Sequence, residues 1–248
     1  ELKSKTSVIY HGVEPMNFFP LRKPERVLFK RNYFGIAEDT YLVTNVNRNQ
    51  LRKDIPRTMI AFKEFKRKVP NSILYLHMAR NDVGGDVVEM AKMLKMKERE
   101  DIIFTENSFT PGRGGSVEKL NKIYNASDLI VSSTTGEGWG LSSIEAMAAK
   151  RPCLFPDHTT LSEIFADGRG KFIKTGGDQD HLAFVPDDPV RLRPIVHIND
   201  MADKMLWMYN NKPKVQQMVA KSYKWVKSNL AWDKHIVPQW IKLIDSII

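Results

Sequence analysis

The chain has 248 residues, 42% hydrophobic and 27% charged, which suits one large soluble domain or one domain with an appendage. No apolar run approaches the roughly 18 residues that span a bilayer, and the opening ELKSKTSVIYHG lacks the zones of a secretory signal. The net charge of +9 points to nucleic acid, anionic lipid or a phosphorylated small molecule. Lys and Arg are nevertheless scattered, with no zinc-finger spacing, RNP-like aromatic motif or heptad-bearing basic helix, so a dedicated nucleic-acid module is set aside. An anionic membrane surface stays a candidate partner for the charge. The single cysteine, Cys153 in PCLF, forms no internal disulfide; it reads as a small buried hydrophobe and fits a reducing, cytoplasmic compartment. The six histidines show no zinc-like spacing, and no metal site is expected.

Taken in chain order, short apolar runs alternate with helical patterns. Strands are predicted at 7–10, 41–46, 72–78, 101–105, 128–133, 152–156 and 171–174, and helices near 55–68, 86–96, 116–125, 141–150 and 159–166. The strands between 41 and 156 are continuous Val/Ile/Leu-rich runs, as expected where both sheet faces are covered. Repeated strand–helix alternation reads as right-handed βαβ units, so the fold class is α/β, a Rossmann-like parallel sheet with helices on both faces. PGRGGS, 111–116, lacks the Lys-Ser/Thr ending of a phosphate loop and reads as a turn before a helix capped by Ser116. TGGDQDHLAFVPDDPVRLRP, 175–194, reads as a polar, Pro-rich connection making an irregular excursion on the surface. Its Asp178-Gln-Asp180 has the Asp-x-Asp form of some metal sites but follows Gly-Gly rather than a strand, and is read as coincidence. From Asn199 on, three helical stretches follow. In the last, Trp232, Ile236, Trp240, Leu243, Ile244 and Ile247 form an apolar stripe, and Pro238 should kink the helix or delay its start.

The most informative stretch is STTGEGWGLSSIEAMA, 133–148. DLIVSS reads as a strand, TTGEGWG as a loop and LSSIEAMAA as a helix. A glycine-rich loop feeding a helix N-terminus presents free backbone N–H groups and the positive end of the helix dipole, a setting suited to phosphate. Gly138 and Gly140 allow close approach of a ligand to the backbone. A plainer alternative makes Ser142-x-x-Glu145 a capping box, with Glu145 reaching back to an N-cap amide. That alternative leaves Glu137 in the loop unexplained.

These residues carry a resemblance. GEGWGLSSIEAMAAKRPCLFPDHTTLSEIFADGRGKFI is similar to the signature of retaining, nucleotide-sugar-dependent glycosyltransferases of the GT-B fold, in the large glycosyltransferase family 4 ("glycosyl transferases group 1") that includes mannosyl- and sucrose-type transferases. VIYHGVEPMNFFP resembles the end of that family's N-terminal domain, and YLVTNVNRNQLRKDIPRTMIAFKEF the opening of its C-terminal domain. KLNKIYNASDLIVSS resembles the approach to the signature, and NLAWDKHIVPQWIKLI the closing helix. The resemblance implies that Glu145 binds ribose hydroxyls, since a carboxylate accepts two O–H bonds at once. It implies that Glu137 holds hydroxyls of the donor sugar and that the amides of Trp139, Gly140 and Leu141 face the diphosphate. Arg48 and Lys53 match the basic pair that neutralises the leaving phosphate; without the resemblance they read as a solvated basic loop.

Two departures from the family pattern stand out. Lys150 replaces the glycine usual after the signature helix; if that position is left-handed, Lys costs about 1–2 kcal/mol there. HTTLSE, 158–163, replaces the Gly-Gly before the later acid, and Glu163 is expected to cap or position its helix.

The implied organisation is a linker at 1–25 ending an N-terminal GT-B domain absent from this chain, a nucleotide-sugar-binding domain at 26–198, and a helical tail at 199–248 that packs on the core or on the partner domain. The implied activity is metal-independent transfer of a hexosyl-type sugar to an acceptor with retention of configuration. No cofactor is implied beyond the nucleotide-diphosphate sugar as donor substrate. Rival expectations are a non-catalytic Rossmann-like nucleotide or sugar module, and a basic protein acting at nucleic acid or a membrane surface. The base, the sugar and the acceptor, whether glycan, lipid or protein, are not legible.

Overall fold

The computed structural model describes residues 6–185 and 192–247. Its elements in chain order begin with helix α1 (Lys23–Phe29), which continues as a π-helical turn over Lys30–Phe34. Strand β1 (Tyr41–Val46), helix α2 (Ile55–Lys68) and strand β2 (Ser72–His77) follow. A two-residue hairpin, β3 (Asn81–Asp82) and β4 (Gly85–Asp86), leads into α3 (Val87–Met93). Then come β5 (Ile102–Phe104), α4 (Val117–Ala126), β6 (Leu129–Val131), α5 (Leu141–Ala148), β7 (Cys153–Pro156), α6 (Thr160–Ile164) and β8 (Lys171–Ile173). A second hairpin, β9 (Leu182–Phe184) with β10 (Leu192–Pro194), precedes α7 (Ile198–Asn210), α8 (Lys212–Asn229) and α9 (Val237–Asp245).

Six strands form one sheet in the order β5-β2-β1-β6-β7-β8, every neighbouring pair parallel. Successive side chains leave a strand on opposite faces, and the core follows that alternation. Val43, Leu74, Leu76, Leu129, Val131 and Leu154 face α2, α3 and α7, whereas Leu42, Ile73, Tyr75, Ile103, Ile130 and Phe155 face α1, α4 and α5. The doubly wound α/β class expected from the strand–helix alternation is therefore present, with both faces covered. The order runs outward from β1 on one side and from β6 on the other. The chain thus reverses direction across the sheet at the β1–β6 junction, where two adjacent loops part and leave a crevice at the carboxyl ends of the strands.

One strand reading needs correction, and one helix was unforeseen. Residues 7–10 form no strand: among the described residues this segment pairs with no neighbour in any sheet, and Val8 is 82% exposed. Helix α1 and its π-helical turn were not anticipated. α1 buries no side chain, so it has no apolar stripe to read; Pro24 in its first turn starts it, and Phe34 of the π turn anchors it against Tyr75. At the end of the chain Pro238 delays the last helix, as expected of it. Trp232–Ile236 form a π-helical turn, and α9 starts only at Val237 with Pro238 in its first turn, where a missing N–H costs nothing. Ile236 is fully buried, while Trp240, Ile244 and Ile247 are 47%, 49% and 76% exposed.

Other readings hold. Ser116 Oγ accepts the Lys119 N–H at 3.2 Å and caps α4, and Cys153 is buried and free. The excursion after β8, by contrast, is not irregular throughout: β9 and β10 pair as a short antiparallel hairpin, with residues 186–191 outside the described residues. Among the described residues no helix is long and apolar enough to cross a membrane. The tail packs on the sheet domain: α7 lies against α2, and α8 runs along α5.

Candidate functional site

The loops leaving β1 and β6 are stitched together by polar groups that a parallel sheet would otherwise leave unpaired. Buried Asn45 donates to Thr58 Oγ1 at 3.2 Å and accepts from Asn47 Nδ2 at 2.6 Å. The hydroxyls of Thr58 and Ser133 meet at 2.7 Å, and Ser133 donates to Asp54 O at 2.6 Å. Thr135 N–H donates to Arg52 O at 2.7 Å, and Arg52 returns a bond from Nη1 to Gly136 O at 2.7 Å. The loop over 47–54 and the glycine loop over 132–140 are thereby one wall.

That wall encloses a cavity of about 520 Å³ lined by Arg48, Lys53, Glu137, Gly138, Trp139, Gly140 and Leu141 together. His11, Gln50 and Arg52 are also among its lining residues. Seven of the eight sequence-derived site residues therefore converge. The eighth, Glu145, lies one turn further along α5 and does not line the cavity.

The charges inside are paired with one another. Lys53 Nζ bonds Glu137 Oε1, both side chains being 9% exposed, and Arg52 Nη1 lies 3.4 Å from Glu137 Oε2. Burial pulls the Lys53 ammonium below its usual range, and the facing Glu137 opposes that shift. Arg48 forks onto Asp82, Nε to Oδ2 at 2.8 Å and Nη2 to Oδ1 at 3.2 Å. These bonds hold the Asp82 carboxyl below its usual range.

The helix end is set by Gly140, the N-cap of α5 with φ of 85°, a left-handed conformation that side chains resist. Ser143 N–H bonds Gly140 O at 2.9 Å, and Ser143 Oγ donates to the same oxygen at 2.6 Å. The amides ahead of Ser143 are the orphan donors of a helix start. The capping-box alternative is overturned: α5 has no side-chain cap, and Glu145 Oε2 instead accepts the Tyr124 hydroxyl at 2.7 Å. Burial raises the Glu145 carboxyl to about 7, against the lowering effect of that bond.

Sequence reasoning missed several participants. Thr159 and Thr160 hold the glycine loop from below: Thr159 Oγ1 accepts the Glu137 N–H at 3.2 Å, and Thr160 Oγ1 donates to Glu137 O and Trp139 O at 3.3 Å each. HTTLSE, which departs from the family's Gly-Gly, thus supplies hydroxyl clamps. Glu163 sits in the first turn of α6 without a capping bond, favourable to the helix dipole only. His158 bonds Thr134 O at 2.9 Å, and burial lowers its pKa. Tyr10 packs on Trp139 with ring centroids 4.7 Å apart, and the Trp139 indole N–H is buried without a partner. Arg52 carried a signal in RNQLRK, but its neighbours Arg48 and Lys53 took the assignment.

For metals, one trio of ligand-bearing side chains stands close among the described residues: Asp178, His181 and His197. Asp180 is not in it. The two imidazoles stack face to face at 3.3 Å with 8° between their planes. A ring nitrogen's lone pair lies in its ring plane, so parallel stacked rings aim at no common ion.

Comparison with known proteins places this arrangement. The sequence profile of the family described as "Glycosyl transferases group 1" matches residues 28–184, and the chain belongs to that family. It is 22% identical over 247 residues to the trehalose synthase of Thermococcus litoralis, covering 98% of this chain and 54% of that protein. The C-terminal domain of a glycosyl transferase group 1 family protein from Francisella tularensis superposes with a TM-score of 0.67 at 18% identity, covering 89% of this chain and 99% of that one. Anabaena HepE, solved in complex with UDP-glucose, superposes with a TM-score of 0.72 at 14% identity, covering 97% of this chain and 57% of that one. The fold is that of the C-terminal half of a GT-B glycosyltransferase, and the chain spans about half the length of the curated relatives it matches.

Proposed function

We propose that this chain is the donor-binding half of a retaining glycosyltransferase that uses a nucleotide-diphosphate sugar. The observation that carries the reading is the convergence of three cations, a carboxylate and a helix N-terminus at the strand crossover of one parallel sheet. Family membership and the UDP-glucose bound by a structural neighbour support it.

In this reading the diphosphate lies between the start of α5 and the Arg48/Lys53 side. The amides of Trp139, Gly140 and Leu141 meet its oxygens, and the two cations offset the charge that grows as the glycosidic bond breaks. Both cations are already committed, Lys53 to Glu137 and Arg48 to Asp82, so donor binding is an exchange of partners. As the phosphate takes up Lys53, Glu137 is released to accept hydroxyls of the sugar. Glu145 serves the ribose from the next helical turn, with Tyr124 fixing its carboxylate. Retention follows the family's front-face course, in which a donor phosphate oxygen helps deprotonate the acceptor and no protein nucleophile is required.

The test is calorimetric titration with UDP-, GDP- and ADP-sugars. One of them should bind, and Glu145→Ala should weaken it by about 1–3 kcal/mol, the usual range for lost hydrogen bonds to a charged group. Binding should persist in chelator, because the cations and helix amides meet the phosphate charge. Absence of binding to all three classes by the folded chain, or a strict need for Mn²⁺ or Mg²⁺, would overturn the reading.

A further inference from the structure

A second cavity lies at the opposite end of the sheet. It encloses about 890 Å³ and is bordered by Tyr41, Asp128 and Pro152, the residues that open or precede β1, β6 and β7. Five cations line it, Lys23, Arg26, Lys150, Arg151 and Lys212, against the single lining carboxylate of Asp128. That carboxylate is already committed: Asp128 Oδ2 accepts from Lys30 Nζ at 2.7 Å and from the Leu42 N–H at 2.8 Å. Lys23 is taken by Glu38 at 2.8 Å. Among the described residues the other four cations have no carboxylate within ion-pair distance, although Lys150 and Lys212 lie over the rings of Tyr223 and Tyr209 at 5.5 and 5.9 Å.

Two of them oppose each other. Arg26 and Arg151 both border this cavity and a smaller one of about 120 Å³ beside it. Arg26 Nε is buried and bonds nothing. Arg151 reaches only backbone carbonyls, Ala149 O at 3.3 Å and Asn125 O at 3.5 Å. Burial and the facing Arg26 together lower the Arg151 pKa to about 10, against the pull of Asp128. Like charges held together away from water are costly unless an anion pairs them. Lys150 adds a second cost, standing at φ of 59° where glycine would be unstrained. Strain kept at a cavity wall points to a use for the side chain that causes it. Met208, Val215 and Val219 give the cavity an apolar side as well.

We propose that this cavity is a second ligand site, which takes a soluble phosphate monoester with its phosphate between Arg26 and Arg151 and its carbon body against α7 and α8. Bidentate donation from guanidinium groups is the preferred recognition of phosphate, and the volume suits a small organic molecule. The site lies across the length of β1 from the strand crossover, about 20 Å at a strand's rise per residue. α5 connects the two, since it begins at the glycine loop and ends beside Lys150 and Arg151.

Calorimetry of the chain with glycerol 3-phosphate and ribose 5-phosphate tests the proposal. At least one should bind, and Arg26→Gln should weaken it tenfold or more, as should Lys212→Ala, an exposed position that does not threaten folding. Lys150→Gly supplies a readout that a purely structural role would not give: melting temperature should rise while ester affinity falls. Weakening by Lys53→Ala instead of Arg26→Gln would place the ester in the crossover cavity and overturn the proposal. So would flotation with phosphatidic acid vesicles without binding of either free ester, since the cations would then read a bilayer surface.

Discussion

Glu145 shows how one residue's surroundings rewrite its chemistry. Its spacing from Ser142 suited a cap, but the Tyr124 hydroxyl arrives from α4 and claims the carboxylate. Burial then raises the carboxyl from 4.5 to about 7, so the folded chain holds this proton more tightly than the unfolded chain. The resulting contribution to stability is fully present below about pH 4.5 and is lost as pH rises towards 7. Glu145→Gln should remove that dependence. Compared with the wild type by urea denaturation, the variant should gain about 2–3 kcal/mol in relative stability between pH 4.5 and 8. The comparison isolates Glu145 from Asp54, which burial raises to about 6 and which shifts stability in the same direction. Nucleotide affinity should strengthen over the same window, because a charged carboxylate accepts the stronger hydrogen bonds.

At the scale of elements, the tail separates packing from sequence pattern. Ile236 and Ile244 belong to one apolar stripe, yet Ile236 is fully buried within the core beneath α5 while Ile244 is 49% exposed. Ile236→Ala should cost about 2–5 kcal/mol by leaving a cavity, whereas Ile244→Ala should stay within about 0.5 kcal/mol, as surface changes do. Equal effects in denaturant titrations would show that α9 is covered in solution. The threonine clamps on the glycine loop act at this scale too. Thr160→Val removes the hydroxyl that bonds Glu137 O and Trp139 O, and should lower donor affinity more than it lowers stability, since the loop has other ties through Arg52.

For the whole molecule, donor binding and transfer should separate. This chain spans about half of its curated relatives, and transfer requires donor and acceptor held in line. Residues 1–248 should bind the nucleotide sugar yet transfer it poorly, which a product assay on the folded chain would check; robust transfer to a defined acceptor would show that this half holds both substrates. On the proposed reading, donor binding would be a property of this domain alone, because the crevice at the β1–β6 crossover follows from the strand order.

The six strands of the parallel sheet and the helices between them were legible, because a sheet covered on both faces demands unbroken apolar runs and its helices a repeating stripe; the two-residue strands β3 and β4 carry no such run and were not. The glycine loop, Arg48, Lys53 and Glu137 were legible as a group because their order along the chain follows a family pattern. Contact partners were not. That Asp82 holds Arg48, that Tyr124 holds Glu145 and that Thr159 and Thr160 brace the loop depends on residues 21 to 34 positions apart being folded side by side, which no local periodicity encodes. The same reason hid the Arg26–Arg151 pair, whose members are separated by 125 positions and meet only where α1 and the end of α5 close over the start of the sheet. Local propensity and pattern selected the elements; the strand crossover and the packing across it decided which charges face one another.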